Sequence, residues 1–108
     1  MGLKTISPGD LHRLIQEQRV TVIDVNSRQS FIEAHVPGAV NLDPAAYNDG
    51  GLPGDKGTQL VFYCSNPLCR KAPNAARRAK GMGYDNVMVM SAGISGWLAR
   101  KLPTEGGA

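Results

Sequence analysis

A chain of 108 residues has room for one domain with a modest core and little space for a second, so residues 1–108 are read as a single unit with a core over about 5–105. With 42% hydrophobic and 19% charged residues it has an ordinary globular balance, and its thirteen glycines and seven prolines follow no period, which excludes disordered, collagen-like and coiled-coil chains. The net charge of +3 divides into −2 over residues 1–54 and +5 over residues 55–108, and two cysteines are too few to build a disulfide miniprotein or an all-cysteine zinc site.

At the N-terminus, Met1-Gly2 begins like an acylation signal, but Ile6 stands where that signal needs Ser or Thr. No apolar signal core and no run of about 18 apolar residues follows, so no membrane association and a cytoplasmic location with reduced thiols are expected. Ser7-Pro8-Gly9-Asp10 reads as a helix start, with Ser7 as N-cap and Pro8 at the first helical position. Leu11, Leu14, Ile15 and Gln18 then form one face, and the helix is expected to stop near Arg19. Val20–Val25 is β-branched and nearly continuous in apolar character, as in a strand covered on both faces. A short helix from about Arg28 to Ala34, a Pro37-Gly38 turn and a strand at Ala39–Leu42 come next, and the Gly- and Asp-rich stretch Asn48–Gly57 is a loop. Leu60–Tyr63 is a second buried strand. A helix from Ala72 puts Ala72, Ala75, Ala76, Ala79 and Met82 on one face, and Gly81 and Gly83 end it. Val87–Met90 is another strand, and Ile94, Trp97 and Leu98 mark a last helix. Strands alternating with helices imply an α/β fold with a largely parallel sheet.

The chemistry concentrates in Cys64-Ser-Asn-Pro-Leu-Cys-Arg70, between a strand and a helix. Ligands of parallel sheets sit at the carboxyl ends of strands, where a curling loop can aim successive N–H groups at one centre. Pro67 has no N–H, so Ser65, Asn66, Leu68, Cys69 and Arg70 supply the available donors. Together with the helix N-terminus and the Arg70 charge, such a nest favours a Cys64 thiolate beside a bound anion. Arg70, Lys71, Arg77, Arg78 and Lys80, with no acid between them, read either as a solvated helix face or as a field that attracts a small anion. Nucleic acid is not expected, since no aromatic stacking platform or binding motif accompanies these charges.

The chain resembles the single-domain rhodaneses from about Thr5 to Glu105. The resemblance rests on Val22-Ile-Asp-Val25, Phe31-Ile-Glu-Ala-His35-Val-Pro-Gly38-Ala-Val-Asn41, Val61-Phe-Tyr-Cys64, Gly83-Tyr-Asp-Asn-Val87, Ala92-Gly93-Ile-Ser-Gly-Trp97 and Leu102-Pro103. It implies a three-layer α/β fold with a five-stranded, mostly parallel sheet flanked by helices. It also implies a sulfurtransferase in which Cys64 takes the outer sulfur of thiosulfate or a similar small anionic donor, holds it as a persulfide, and passes it to cyanide or a protein thiol. Arg70 would then partner the anion and the thiolate. No metal or organic cofactor is implied, and a monomer or weak dimer is expected.

Several positions depart from the family pattern. Five residues separate Cys64 from Arg70 where the usual loop has four, a length that resembles rhodanese-fold phosphatases and arsenate reductases and keeps that alternative open. Tyr63 occupies the place where those phosphatases carry His, and no leaving-group acid can be named. Cys69 lies inside the loop, either packed between helix and sheet or as a resolving thiol that closes a disulfide with Cys64, which would suit a sulfide- or redox-sensing module without turnover. Asn26 stands where many members have Arg, and Ser30 where an acid is frequent, which bears on donor specificity. Asp24 and His35 are read as structural, Trp97 as packing the last helix, and His12 as a boundary residue.

Overall fold

The computed structural model describes residues 3–107, so the Met1-Gly2 motif lies outside the described residues. Among the described residues the chain order is β1 (Lys4–Thr5), α1 (Pro8–Gln16), β2 (Thr21–Asp24), α2 (Arg28–Glu33), β3 (Val40–Asn41), a 3-10 turn (Asp49–Gly51), β4 (Leu60–Tyr63), α3 (Lys71–Gly81), β5 (Val87–Val89) and α4 (Gly93–Ala99). The strands form one sheet in the order β1-β5-β4-β2-β3, with every adjacent pair parallel. A wholly parallel sheet needs helical crossovers and has both faces covered, which is why its inner strands are continuously apolar.

Side-chain alternation sorts the core into two layers. Ile23, Val25, Leu60, Phe62, Cys64, Val87 and Val89 face α3, whose Ala72, Ala75, Ala76 and Ala79 are all buried against them. Small side chains let that helix approach the sheet closely. On the opposite face Val22, Val61, Tyr63 and Met90 pack with Leu11 of α1, Phe31 of α2 and Trp97 of α4. Trp97 is fully buried, with Nε1–H donating to the Pro103 carbonyl at 2.7 Å, and half-buried His12 meets its ring edge-on at 5.8 Å.

The first helix begins as its sequence predicts, with Ser7 Oγ accepting from Asp10 N–H at 3.1 Å, but it ends earlier than Arg19. Gln18 takes φ +56°, Gln18 N–H donates to the Ile15 carbonyl and Arg19 N–H to the Leu14 carbonyl. This is a Schellman closure, with Gln in the left-handed position that glycine usually fills, so Gln18 leaves the helix exposed instead of extending its apolar face. The same closure ends α3 at Gly83 (φ +101°), where Tyr84 N–H donates to the Ala79 carbonyl at 3.2 Å. β1 has no apolar pattern of its own. Both of its residues are exposed, and it is held by pairing with Met88 and Val89.

Candidate active site

β4 lies at the centre of the sheet, with β2 on one side and β5 on the other, so its carboxyl end opens at the point where the strand order reverses. Cys64 follows directly, turned toward α3 and 3% exposed. The first turn of α4 pins the start of the loop. Ile94 N–H donates to the Cys64 carbonyl at 2.9 Å, and Ser95 N–H to the Ser65 carbonyl at 3.0 Å. Gly93 makes that approach possible: it has φ +68°, and a Cβ there would lie 2.5 Å from the Ser65 carbonyl carbon and 2.6 Å from Asn66 N. The sequence marks Gly93 only as part of a motif, because its partner segment is far away along the chain.

Asn66-Pro67-Leu68-Cys69 forms a β-turn, with Cys69 N–H donating to the Asn66 carbonyl at 3.1 Å and Pro67 at the second position, where its fixed φ suits such a turn. Asn66 Oδ1 accepts from Leu68 N–H at 2.9 Å, closing an Asx-turn within it. Two of the five N–H groups expected to face an anion are therefore engaged inside the loop. Among the described residues, those of Ser65, Asn66 and Arg70 carry no hydrogen bond to the protein. The Leu68 side chain points outward and is 89% exposed. The turn brings Cys69 back onto Cys64, and the two are joined as a disulfide pair with Cα atoms 6.4 Å apart. Cys69 also packs against the α3 layer, so the packed position and the contact with Cys64 coexist.

Cys64 and Cys69 both line a cleft of about 200 Å³ between α3 and the β1–β5 side of the sheet, walled by Leu3, Pro73 and Val89. Arg70, at the N-cap of α3, and Arg77, two turns further along, line the same cleft. Among the described residues no carboxylate lines it, and neither guanidinium has an ion pair. The basic run of the sequence is thus divided. Arg78 Nε donates to the Tyr47 carbonyl at 2.9 Å and its guanidinium lies over the Tyr47 ring, while Lys71 lines a separate depression with Asn26 and Asp43.

Tyr63 points to the opposite face of the sheet from Cys64 and is fully buried. Its hydroxyl donates to Asp24 Oδ2 and accepts from Val36 N–H at 3.0 Å. Asp24 is also fully buried and accepts from Asn26 N–H at 2.8 Å. Burial raises the Asp24 carboxyl above its ordinary 3.8, against the opposing hydrogen bonds from Tyr63 and Asn26. Burial and then the adjacent Asp24 raise the Tyr63 hydroxyl. Asn26 has 9% exposure and ties strand ends together, its carbonyl accepting from Asn41 Nδ2 at 3.0 Å. His35 Nδ1 donates to the Phe31 carbonyl at 2.7 Å, its ring stacks on Phe31 at 3.7 Å, and its backbone pairs with Glu105.

Comparison with known proteins bears on this arrangement. The family model described as "Rhodanese-like domain" matches residues 7–100. The chain is 30% identical over 105 residues to Escherichia coli YibN, an uncharacterized protein, covering 94% of this chain and 71% of YibN. It is 27% identical over 96 residues to the thiosulfate sulfurtransferase GlpE of Shewanella oneidensis, covering 89% of this chain and 93% of GlpE. The crystal structure of BH2092 from Bacillus halodurans superposes with a TM-score of 0.87 at 24% identity, over 95% of this chain and 77% of that one, which is a likeness of fold.

Proposed function

The chain belongs to the rhodanese-like domain family, and from that premise we propose that it is a sulfurtransferase that carries sulfane sulfur on Cys64. The observation that carries this reading is the position of Cys64: a shielded cysteine at the end of the central strand, in the loop whose Ser65, Asn66 and Arg70 N–H groups are unbonded among the described residues, and beside an arginine-lined cleft. In the first half-reaction the Cys64 thiolate attacks the outer sulfur of thiosulfate, the donor's S–S bond breaks, and sulfite leaves with the bonding pair. The terminal sulfur of the persulfide carries the negative charge, and the Ser65, Asn66 and Arg70 N–H groups, unbonded among the described residues, are available to receive it. In the second half-reaction a thiophilic acceptor, cyanide or a thiolate, attacks that outer sulfur and returns Cys64 as thiolate. Sulfite needs no proton to depart, so the cycle needs no general acid.

The phosphatase or arsenate reductase alternative meets an obstacle. A leaving alkoxide needs a proton donor, but among the described residues no carboxylate lines the Cys64 cleft, and Tyr63 and Asp24 are bonded to each other on the far face of the sheet. Intact-mass measurement on fully reduced protein treated with thiosulfate tests the reading, with Cys69→Ser used so that no second thiol intervenes. The expected result is a gain of one sulfur atom that cyanide removes as thiocyanate and that Cys64→Ser abolishes. No gain in sulfur, together with phosphate-ester turnover, refutes it.

A further inference from the structure

We infer that Cys69 is the internal acceptor of the Cys64 persulfide: its thiolate displaces the carried sulfur as hydrosulfide and closes the Cys64–Cys69 disulfide, making the reduced protein a sulfide-releasing thiosulfate reductase. The inference rests on the persulfide reading of Cys64 and adds the fate of the sulfur.

The first support is proximity. The Asn66–Cys69 turn holds the two Cα atoms at 6.4 Å, inside the range of about 4.4–6.8 Å that disulfides require, and the two sulfurs are paired. An intramolecular thiol so placed acts at an effective concentration far above that of any free thiol in solution.

The second support is direction. A persulfide has two electrophilic sulfurs, and attack on the outer one would merely move the sulfur from Cys64 to Cys69. Cys69 meets Cys64 at Sγ, the inner sulfur, and the N–H groups of Ser65, Asn66 and Arg70, unbonded among the described residues, are available to stabilise the outer sulfur as an anion. Attack on the inner sulfur forms the Cys64–Cys69 bond and breaks the persulfide S–S bond, and the outer sulfur leaves with the electron pair. The balance over both steps is one thiosulfate and two protein thiols giving sulfite, hydrogen sulfide and one disulfide. The two electrons come from the cysteines. A dithiol reductant resets the pair, its first thiol forming a mixed disulfide and its second resolving it. The cleft that both cysteines line gives access for that reductant and an exit for sulfide.

The test is a single turnover. Protein is fully reduced, freed of reductant and mixed with thiosulfate in the absence of any other thiol, and released sulfide and intact mass are measured together. Wild type is expected to release one sulfide per chain and to end two hydrogens lighter than the reduced chain. Cys69→Ser and Cys69→Ala are expected to release none and to retain one extra sulfur. Wild type that keeps the extra sulfur and releases no sulfide overturns the inference while leaving the persulfide reading intact. Absence of added sulfur in both Cys69 variants, with no sulfide from wild type, overturns both.

Discussion

Replacing Gly93 with alanine should impair the site through the backbone alone. The new methyl carbon would stand 2.5 Å from the Ser65 carbonyl carbon, 2.6 Å from Asn66 N and 2.7 Å from the Ser65 oxygen. Unstrained contacts need about 3.5 Å, so the loop or α4 must retreat by about 1 Å. No side-chain rotation relieves the clash, because every atom involved is main chain. The retreat breaks or stretches the two bonds that α4 makes to the loop, from Ile94 N–H and Ser95 N–H, at about 1 kcal/mol each. Holding alanine at φ +68° adds about 1–2 kcal/mol, for an expected loss of about 3–4 kcal/mol. A displacement of about 1 Å at a reacting centre typically costs about 100-fold in rate, so Cys64 persulfide formation should slow by that order. Stopped aliquots read by intact mass give the rate, and urea unfolding gives the stability. Gly54→Ala, where no atom lies within 4 Å of the added carbon and φ is not positive, is the neutral control. A Gly93→Ala protein that matches wild type in rate and lies within about 0.5 kcal/mol in stability would refute the argument.

Arg70→Ala and Arg77→Ala should each raise the KM for thiosulfate by about two- to fivefold, the range open to exposed charges, and the difference from wild type should shrink in high salt. Arg70→Ala should also shift the alkylation-versus-pH profile of reduced Cys64 to higher pH, and an unchanged profile counts against its partnership with the thiolate. The buried Asp24 carboxyl has a folded-state pKa above its ordinary 3.8, so its favourable contribution is greatest in acid and is lost as pH rises through the folded value. The unfolding free energy of wild type minus that of Asp24→Asn should therefore decline from acid toward neutral pH, and a flat difference excludes this carboxyl as the cause. Tyr63→Phe strands the Val36 N–H and the Asp24 carboxylate and should cost about 2–3 kcal/mol in urea unfolding, with little change in Cys64 alkylation because the hydroxyl lies on the other face.

The main strands were legible because burial on both faces leaves nearly continuous apolar runs at Val20–Val25 and Leu60–Tyr63, and the alanine face of α3 announced its close packing. β1 was not: Lys4–Thr5 joins the sheet through main-chain pairing with β5, which leaves no side-chain signature. Glycines predicted the end of α3 but not of α1, because a Schellman closure is a main-chain pattern that Gln18 can adopt at modest cost. At the site, the sequence placed both cysteines in one loop and counted five N–H donors. It could not show that Asn66 captures two of them, since its side chain and carbonyl could equally have faced solvent. The contact of Gly93 with Ser65 and Asn66 joins segments on different elements, so no local spacing encodes it.

The captured donors bear on which anion the loop suits. Phosphoryl transfer spreads charge over three equatorial oxygens and draws its catalysis from donors surrounding them. The residue count from Cys64 to Arg70 suggests a cradle of that width, but the Asn66–Cys69 turn takes the Leu68 and Cys69 N–H groups out of it. Three N–H groups left without a partner among the described residues, at Ser65, Asn66 and Arg70, are a closer match to one terminal sulfur bearing a single charge. The turn that narrows the cradle is also the turn that returns Cys69 to Cys64. Asn66 and Pro67 therefore link two properties that the linear motif presents as separate, the size of anion the loop favours and the reach of the second thiol. A substitution that opened the turn would be expected to widen the cradle and release Cys69 together.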